Sequence, residues 1–385
     1  MIDFKVAETK RCRVCGNRIF KEPLLRFVGM PASAQGFPDE TTLHADVGCN
    51  VEVLQCSSCG LVQIAGAPVS YYREVIRAAA ISPEMQAFRR DQFRHLVEKY
   101  SLGGRKLLEI GCGKGDYLSL LQEAGIDAWG SEYALASVEH CFTMGLPVIR
   151  TFPDNPEEAL SDGPFDAFAS FNFMEHWPRP NDVLQCVRRN LVDGGLGLIE
   201  VPNFDMIVRM AMFSEFIPDH LLYFARDTLI FALQYNGFEV MECEAVWHDY
   251  ILSAVVRKRE ALDLGSFVGK QERITAEINA FVGSYPAMSV AVWGAGHQAL
   301  AVMAMAGLGG RIAYVVDSAP FKQGRYTTAT HIPIVPPSEL TARPPEAVIV
   351  MAASYSDEVI GMLRKNYPSS INIAVLRDNG LERIR

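Results

Sequence analysis

Residues 107–121 read LLEIGCGKGDYLSLL, and this stretch decides the fold that we expect for the chain. A short apolar run ends at Ile110, three alternating glycines follow, and apolar residues return at helical spacing from Tyr117. The pattern predicts a strand, a tight turn and a helix. Glycine suits such a turn because it adopts positive φ angles and lets the backbone approach a ligand, while the first N–H groups of a helix lack partners within it. The stretch is therefore expected to bind a nucleotide-like cofactor.

The spacing of Gly111, Gly113 and Gly115 differs from the dinucleotide fingerprint G-x-G-x-x-G. Glu109 precedes these glycines, and a buried carboxylate there would repel a pyrophosphate but suits a cation. Glu132 ends the next apolar run, at a strand end from which a carboxylate accepts hydrogen bonds from ribose hydroxyls. S-adenosylmethionine combines an adenosyl group with ammonium and sulfonium cations, and it is the cofactor that these residues predict.

A helix is expected from Tyr71 to about Tyr100, and strands and helices are expected to alternate after the glycine turn. The predicted strands cover residues 128–132, 147–149, 165–171 and 197–201, and the predicted helices cover residues 134–144 and 180–191. Two antiparallel strands between residues 237 and 257 complete this part. The order predicts an α/β fold with a doubly wound, largely parallel sheet that binds ligands at the carboxyl ends of its strands.

Residues 172–176, NFMEH, follow one of these strand ends. Asn172 and His176 are four residues apart, so a helical turn would point both in one direction. We expect both to contact the cofactor or the substrate, although a lone histidine is more often structural. Phe173 and Met174 are expected to form an apolar wall against the cofactor.

A second informative stretch, residues 213–229, reads FSEFIPDHLLYFARDTL. Pro218 forces the preceding residue towards an extended conformation, and a helix is predicted to start after Ala225. His220 therefore lies on a constrained loop, where catalytic groups are often mounted. A histidine there can act as a general base, and a buried histidine bonded to the backbone is the alternative.

Four of the nine cysteines form two pairs, Cys12/Cys15 and Cys56/Cys59, each followed by glycine. Two such C-x-x-C knuckles bring four thiolates together around a zinc ion. A site with four protein ligands is closed, so the zinc is expected to stabilise the fold and to take no part in chemistry.

Composition limits the other possibilities. The chain has 385 residues, 49% of them hydrophobic, and a net charge of −9, which predicts two or three globular domains. The acidic balance and the absence of a basic run argue against nucleic acid as a partner. Because no apolar run approaches the length of a signal peptide core or a membrane span, we expect a cytoplasmic protein without a membrane partner.

An amphipathic helix is predicted over residues 259–281, and a second glycine turn follows it. It reads G-x-G-x-x-A from Gly294, follows an apolar strand, and is followed by a strand that ends in Asp317. This pattern is closer to a dinucleotide fingerprint than the first turn, so an NAD-dependent oxidoreductase is a rival prediction. Lys322 and Arg325 lie within a turn of Gly324 and could contact phosphates.

Together these segments resemble the sugar C-methyltransferases of deoxysugar biosynthesis. The resemblance rests on the two cysteine pairs, the first glycine turn, residues 172–176, the run H-L-x-Y-F at residues 220–224, and VVDSAPFKQGRY at residues 315–326. It implies a zinc-binding N-terminal module, a central class I methyltransferase domain that binds S-adenosylmethionine, and a smaller Rossmann-like C-terminal domain that helps to hold a nucleotide-linked substrate. We accordingly expect domains at residues 1–70, 71–260 and 261–385.

The resemblance also implies that His220 removes a proton next to a keto group, so that the enolate carbon attacks the methyl group. The family usually carries a tyrosine and a second histidine where this chain has Ile217 and Pro218, whereas an acidic neighbour is kept as Asp219. Tyr223 and Tyr250 are candidate replacements for the missing tyrosine. O- or N-methylation of a related natural product or sugar is the nearest alternative, and a zinc-stabilised scaffold without enzymatic activity is a third.

Overall fold

The computed structural model of the protein describes residues 11–75 and 81–385. Contacts divide the chain into two compact units, Met1–Glu260 and Ala261–Arg385. The first unit contains both the cysteine pairs and the first glycine turn. Among the residues that the structure describes, we find no helix with the length and apolar character of a membrane span.

The first unit opens with three antiparallel strands and continues as an alternation of helices and strands. The opening strands are β1 (Leu25–Met30), β2 (Cys49–Gln55) and β3 (Val62–Ile64). The later strands are β4 (Lys106–Ile110), β5 (Asp127–Glu132), β6 (Val148–Arg150), β7 (Phe165–Phe171), β8 (Leu191–Pro202), β9 (Leu222–Tyr223), β10 (Phe238–Val246) and β11 (Ile251–Lys258). The helices are α1 (Pro83–Tyr100), α2 (Asp116–Glu123), α3 (Leu135–Thr143), α4 (Pro180–Arg189), α5 (Phe204–Arg209) and α6 (Arg226–Tyr235).

Seven strands form one sheet in the order β10-β11-β8-β7-β4-β5-β6. The five strands from β4 to β8 are parallel, and β11 pairs antiparallel with both β8 and β10. The parallel strands are rich in buried apolar residues because apolar clusters cover both faces of the sheet. This sheet confirms the predicted doubly wound α/β fold, and the carboxyl ends of its parallel strands share one edge.

Strand β9 does not join this sheet. It pairs antiparallel with β3, so the opening sheet has the order β1-β2-β3-β9. Residues that lie more than 150 positions apart along the chain, Val62 and Tyr223 among them, are therefore neighbours. The cysteine-containing segment is thus bonded directly to the loop that precedes β9.

Several predicted boundaries were wrong. The helix expected from Tyr71 begins only at Pro83, because Ser82 caps it by accepting a hydrogen bond from the Met85 N–H at 3.1 Å and proline suits the first helical position. Strand β8 is longer than predicted and covers Leu191–Pro202. The helix expected from Arg259 begins at Gly265.

The second unit is a smaller three-layer α/β domain. Its elements are α7 (Gly265–Gly283), β12 (Val290–Trp293), α8 (His297–Met305), β13 (Tyr314–Val316), β14 (Ile334–Val335), α9 (Glu339–Ala342), β15 (Ala347–Val350), α10 (Ser356–Asn366), β16 (Asn372–Arg377) and β17 (Gly380–Arg383). The sheet has the order β14-β13-β12-β15-β16-β17, and only the β16–β17 pair is antiparallel. The predicted second Rossmann-like domain is confirmed.

Candidate active site

The first glycine turn joins β4 to α2. Gly111, Gly113 and Gly115 have φ angles of +74°, +57° and +85°, which side chains with a Cβ rarely adopt. A Cβ on Gly111 would lie 2.4 Å from the ring of Phe173, so the turn also requires glycine for space. The backbone of this turn therefore packs closely against its neighbours, Phe173 and Val75 among them.

Two buried acids flank the turn, as the sequence predicts. Glu109 lies on β4, and Glu132 is the last residue of β5; each is 1% exposed. The Oε2 atom of Glu132 accepts a hydrogen bond from the Gly113 N–H at 3.0 Å, and Oε1 accepts from the N–H groups of the two following residues at 2.9 and 2.8 Å. Burial raises the pKa of Glu132, and these N–H groups oppose the shift. The carboxyl group therefore ties the glycine turn to the end of β5.

The segment before α1 packs over the same turn. Val75 lies close to Gly111 and Gly113, and its backbone N–H contacts the Glu132 carboxyl group. Four backbone N–H groups therefore surround the Glu132 carboxyl group and fix it beside the glycine turn. The positive-φ glycine turn and the two buried acids fit an adenosyl cofactor.

A cavity of about 360 Å³ lies next to this region. Its walls come from the opening module, from the segment before α1, from the end of β7 and from the loop before β9. The lining residues are Ala34, Gln35, Tyr71, Tyr72, Glu74, Val75, Tyr117, Phe171, Asn172, Phe173, His176, Ile217, Asp219 and His220. Phe173 and Val75 line the cavity and also contact the glycine turn, so cavity and turn are adjacent.

Two histidines face each other in this cavity. The ring centroids of His176 and His220 are 4.8 Å apart, and Nδ1 of His176 is 2.8 Å from the backbone carbonyl of Asp219. That contact requires an N–H on Nδ1, which leaves Nε2 of His176 as an acceptor. Burial lowers the pKa of both rings, and that of His220 falls to about 3 with the help of the neighbouring His176. Both imidazole rings are therefore uncharged at neutral pH, and each has one ring nitrogen that can accept a proton.

Asp219 holds the loop that carries His220. Its Oδ1 accepts a hydrogen bond from the Tyr71 hydroxyl at 2.5 Å, and its Oδ2 accepts from the Ala34 N–H at 2.9 Å. These bonds join the His220 loop to the opening module and to the segment before α1. The role of Asp219 that the contacts support is therefore positioning.

Two predicted site residues do not reach the cavity. Tyr223 is buried on β9, where its hydroxyl donates to the Glu215 carbonyl at 2.9 Å and accepts from the Ile217 N–H at 3.2 Å. Met174 is fully buried in the apolar core, because the short helical turn after β7 directs it away from the cavity. Phe173 and Asn172, in contrast, line the cavity.

Asn172 has a left-handed backbone conformation with φ of +47°. Its Oδ1 atom is buried and has no hydrogen-bond partner among the described residues. Buried polar atoms normally have a partner, so this carbonyl oxygen is available to a ligand in the cavity.

Glu175 is the residue at this site that sequence reasoning missed. It is 2% exposed, and burial raises its pKa to about 8. A carboxylate oxygen of Glu175 and ring nitrogens of His176 and His220 all lie within 4.8 Å of one another. The sequence signal that could have identified Glu175 is an acidic residue between Met174 and His176, in a segment that otherwise packs into the core.

Comparisons with known proteins agree with this geometry. The family model described as "Methyltransferase domain" matches residues 85–242, which include the glycine turn and both histidines. The family model described as "C-methyltransferase C-terminal domain" matches residues 261–371. This chain is an S-adenosylmethionine-dependent methyltransferase.

The methyltransferase is similar along most of its length to the C-methyltransferase NovU of Streptomyces niveus, with 24% identity and coverage of 91% of each chain. It is 38% identical over 152 residues to a ubiquinone biosynthesis O-methyltransferase of Methylococcus capsulatus, which covers 33% of this chain and 63% of that protein. Among solved structures, the PH0226 protein of Pyrococcus horikoshii OT3 is 19% identical, with a TM-score of 0.39. The match covers 50% of this chain and 97% of the PH0226 chain. The similarity to NovU and the two family models confirm the predicted resemblance.

The four paired cysteines of the methyltransferase converge on one point. The Sγ atoms of Cys12 and Cys59 are 3.6 Å apart, those of Cys15 and Cys56 are 3.4 Å apart, and all four lie within 4.8 Å of one another. Tetrahedral zinc with bonds of about 2.3 Å requires sulfur atoms at about 3.8 Å, so this cluster fits zinc.

The second unit of the methyltransferase has a cavity of about 510 Å³ at its own glycine turn. Asp317 lines it, but its carboxylate accepts hydrogen bonds from the Ala295 and Ala319 N–H groups and pairs with Lys322 at 2.8 Å. The Lys322 side chain reaches this cavity, whereas Arg325 is exposed and outside its lining. The structure thus does not bring the two predicted phosphate ligands into one cavity.

Proposed function

We propose that the enzyme methylates a carbon atom of a small molecule, a nucleotide-linked keto-sugar. The observation that carries this proposal is the pair of uncharged imidazoles, His176 and His220, in a cavity whose wall contacts the glycine turn. Carbon methylation requires a base that is held beside the methyl donor, and the two rings meet that requirement. The similarity to NovU, whose name is C-methyltransferase, supports the same chemistry.

The donor side is assigned to the glycine turn and its two acids. S-adenosylmethionine supplies a methyl group on a positively charged sulfur. Glu132 would accept hydrogen bonds from the ribose, Glu109 would favour the positive charges, and Phe173 and Asn172 would contact the donor from the end of β7. The turn, with three positive-φ glycines, would present backbone N–H groups at close range.

His220 is assigned as the base, and His176 and Asp219 position it. An unprotonated His220 would take a proton from the carbon next to the keto group, which leaves the electron pair on that carbon as the nucleophile. His176 is oriented by its hydrogen bond to the Asp219 carbonyl, and Asp219 is held in turn by Tyr71. Much of the rate enhancement would come from holding the carbon in line with the methyl group in a cavity of low water content.

Three further assignments complete the proposal. The cysteine cluster would hold a structural zinc ion. Lys322, which lines the cavity of the second unit, would offer a positive charge to a phosphate group there. The three domains would follow the boundaries at residues 70 and 260, and no nucleic acid or membrane would take part.

The similarity to an O-methyltransferase and the isoleucine at position 217 favour a second candidate, in which His220 deprotonates a hydroxyl or an amine. Transfer of a ¹³C-labelled methyl group distinguishes the two. The protein is incubated with labelled donor and a nucleoside-diphosphate-linked ketohexose, and ¹³C NMR identifies the methylated atom. A carbon-bound label supports the proposal. A label on oxygen or nitrogen supports the second candidate, and no labelled product from keto-sugars or their hydroxy and amino analogues contradicts both.

A further inference from the structure

Glu175 is a buried acid that the proposed mechanism does not yet use. It lies in the short helical turn after β7, and its Oε2 atom has no hydrogen-bond partner among the described residues. The carboxyl group contacts its own backbone N–H. A buried carboxyl group without a cationic partner must either stay protonated or share a proton with a neighbour.

The neighbours that can share a proton with Glu175 are the two histidines of the cavity. The carboxylate oxygen and the ring nitrogens of His176 and His220 lie within 4.8 Å of one another, a distance that one water molecule can bridge. Backbone bonds hold the arrangement, because the Leu221 N–H donates to the Glu175 carbonyl at 2.8 Å. The turn that carries Glu175 and the loop that carries His220 are therefore bonded to each other.

Among the described residues, burial and its own backbone N–H shift the pKa of Glu175, and no lysine or arginine contributes. The titratable groups around Glu175 and the two rings include His176, His220, Asp219, Tyr223, Tyr250 and Glu215, and Tyr71, Tyr72, Glu74 and Tyr117 line the same cavity. An imidazolium formed on His220 in these surroundings is unfavourable because the ring is buried. A proton taken by His220 therefore needs an acceptor within reach, and Glu175 is the acid that the geometry places there.

We propose that Glu175 is a positioning residue that holds the proton which His220 removes from the methyl acceptor. The inference rests on the proposed carbon methylation. It concerns a residue that acts through His220 and does not need to touch the substrate.

The proton and electron balance is complete without another reactant. A carbon–hydrogen bond of the acceptor breaks, an N–H bond forms on His220, and the electron pair stays on the carbon. The proton then passes from the imidazolium to a carboxylate oxygen of Glu175. The electron pair on the carbon forms the bond to the methyl group, and the carbon–sulfur bond of the donor breaks with its electrons on sulfur. Glu175 returns the proton to solvent before the next turnover.

The role gives the enzyme a specific pH dependence. Only the ionised carboxylate can accept a proton, and burial raises the pKa of Glu175 to about 8. The rate of carbon methylation should therefore rise with pH up to about 8 and then level off. His220 does not produce this rise, because its pKa is lowered and the ring is already unprotonated at neutral pH.

The test compares initial rates of labelled methyl transfer to a nucleoside-diphosphate-linked ketohexose between pH 6 and pH 9. Glu175→Gln should lower kcat on the order of 100-fold and remove the rise near pH 8, and Glu175→Asp should restore part of that rise. Glu123→Gln, a change at an exposed acid of α2, should match the wild type. A uniform loss of rate in Glu175→Gln that keeps the rise near pH 8 would overturn the inference, as would a rate that depends on an added divalent cation and is abolished by a chelator.

A second readout needs no turnover and separates this inference from the proposed function. In the folded protein Glu175 keeps its proton up to about pH 8, whereas in the unfolded chain its pKa is near 4.5. The wild type should therefore lose stability as pH rises between these values, and Glu175→Gln should not. The melting temperature of Glu175→Gln minus that of the wild type should increase from pH 5 to pH 8. A difference that stays constant would overturn the inference even if methyl transfer is observed, and an increase would support proton holding even if the acceptor proves to be another molecule.

Discussion

At the scale of single residues, Glu132 connects the expected donor site to the glycine turn. Its carboxylate accepts hydrogen bonds from four backbone N–H groups, one of them from Gly113. Glu132→Gln replaces one acceptor oxygen by an amide that donates. Because hydrogen bonds to a charged group contribute about 1.5–3 kcal/mol, affinity for S-adenosylmethionine should fall about 10- to 100-fold. Calorimetric titration measures this change.

The matched control is again Glu123→Gln, which removes an exposed carboxylate that pairs with Arg90 on the surface. Its donor affinity should equal that of the wild type. If Glu132→Gln also binds the donor with unchanged affinity, the assignment of Glu132 to the ribose is wrong.

Sequence reasoning was most successful for residues whose role follows from local pattern. Spacing and strand ends were sufficient to place Gly111 in the turn, Glu132 at the end of β5 and His220 on a constrained loop. It failed where a single turn decides the direction of a side chain: Met174 was expected in the cavity and lies in the core, and Glu175 received no role. A run of adjacent residues does not reveal which of them a short helical turn will bury.

At the scale of elements, β9 connects the cysteine cluster with the loop that carries His220. This two-residue strand follows His220 closely and pairs with β3, which lies just after the second cysteine pair. If zinc holds the cluster, chelation should disorder β3 and release the His220 loop. We expect a lower melting temperature and a large loss of turnover, with donor affinity changed only a few-fold because the glycine turn lies on the other sheet.

Metal analysis with two variants tests this link. Cys56→Ser should abolish zinc binding, whereas Cys49→Ser should keep one zinc ion per chain because Cys49 lies outside the cluster. A purified wild-type protein that is free of zinc and fully active would contradict the structural role.

The elements of the seven-stranded sheet were predictable because parallel strands and their helices leave strong local patterns. Strand β7 covers the predicted residues, Phe165–Phe171. The predicted start of α1 was too early: the apolar spacing that indicated a helix applies from Pro83 onwards, and Tyr71 and Tyr72 line the cavity. Strand β9 could not be predicted, since two residues carry no pattern and their partner is far away in the chain.

At the scale of the whole molecule, two glycine turns in two units left an oxidoreductase as a rival. The second turn has the closer sequence match to a dinucleotide site, but the Asp317 carboxylate there already pairs with Lys322 and with two backbone N–H groups. We therefore predict that NAD gives no saturable heat in calorimetry, while S-adenosylmethionine binds in the same preparation. Tight NAD binding without a response to S-adenosylmethionine would contradict our assignment.

The central claim is that His220 removes a proton from carbon, and deuterium exchange tests it most directly. The protein is incubated in D₂O with S-adenosylhomocysteine, which has no methyl group to transfer, and a nucleoside-diphosphate-linked ketohexose. NMR should show deuterium entering the carbon next to the keto group with the wild type and a strongly reduced exchange with His220→Asn. Transfer of a labelled methyl group by the wild type without any such exchange, or exchange that is unchanged in His220→Asn, would contradict the claim.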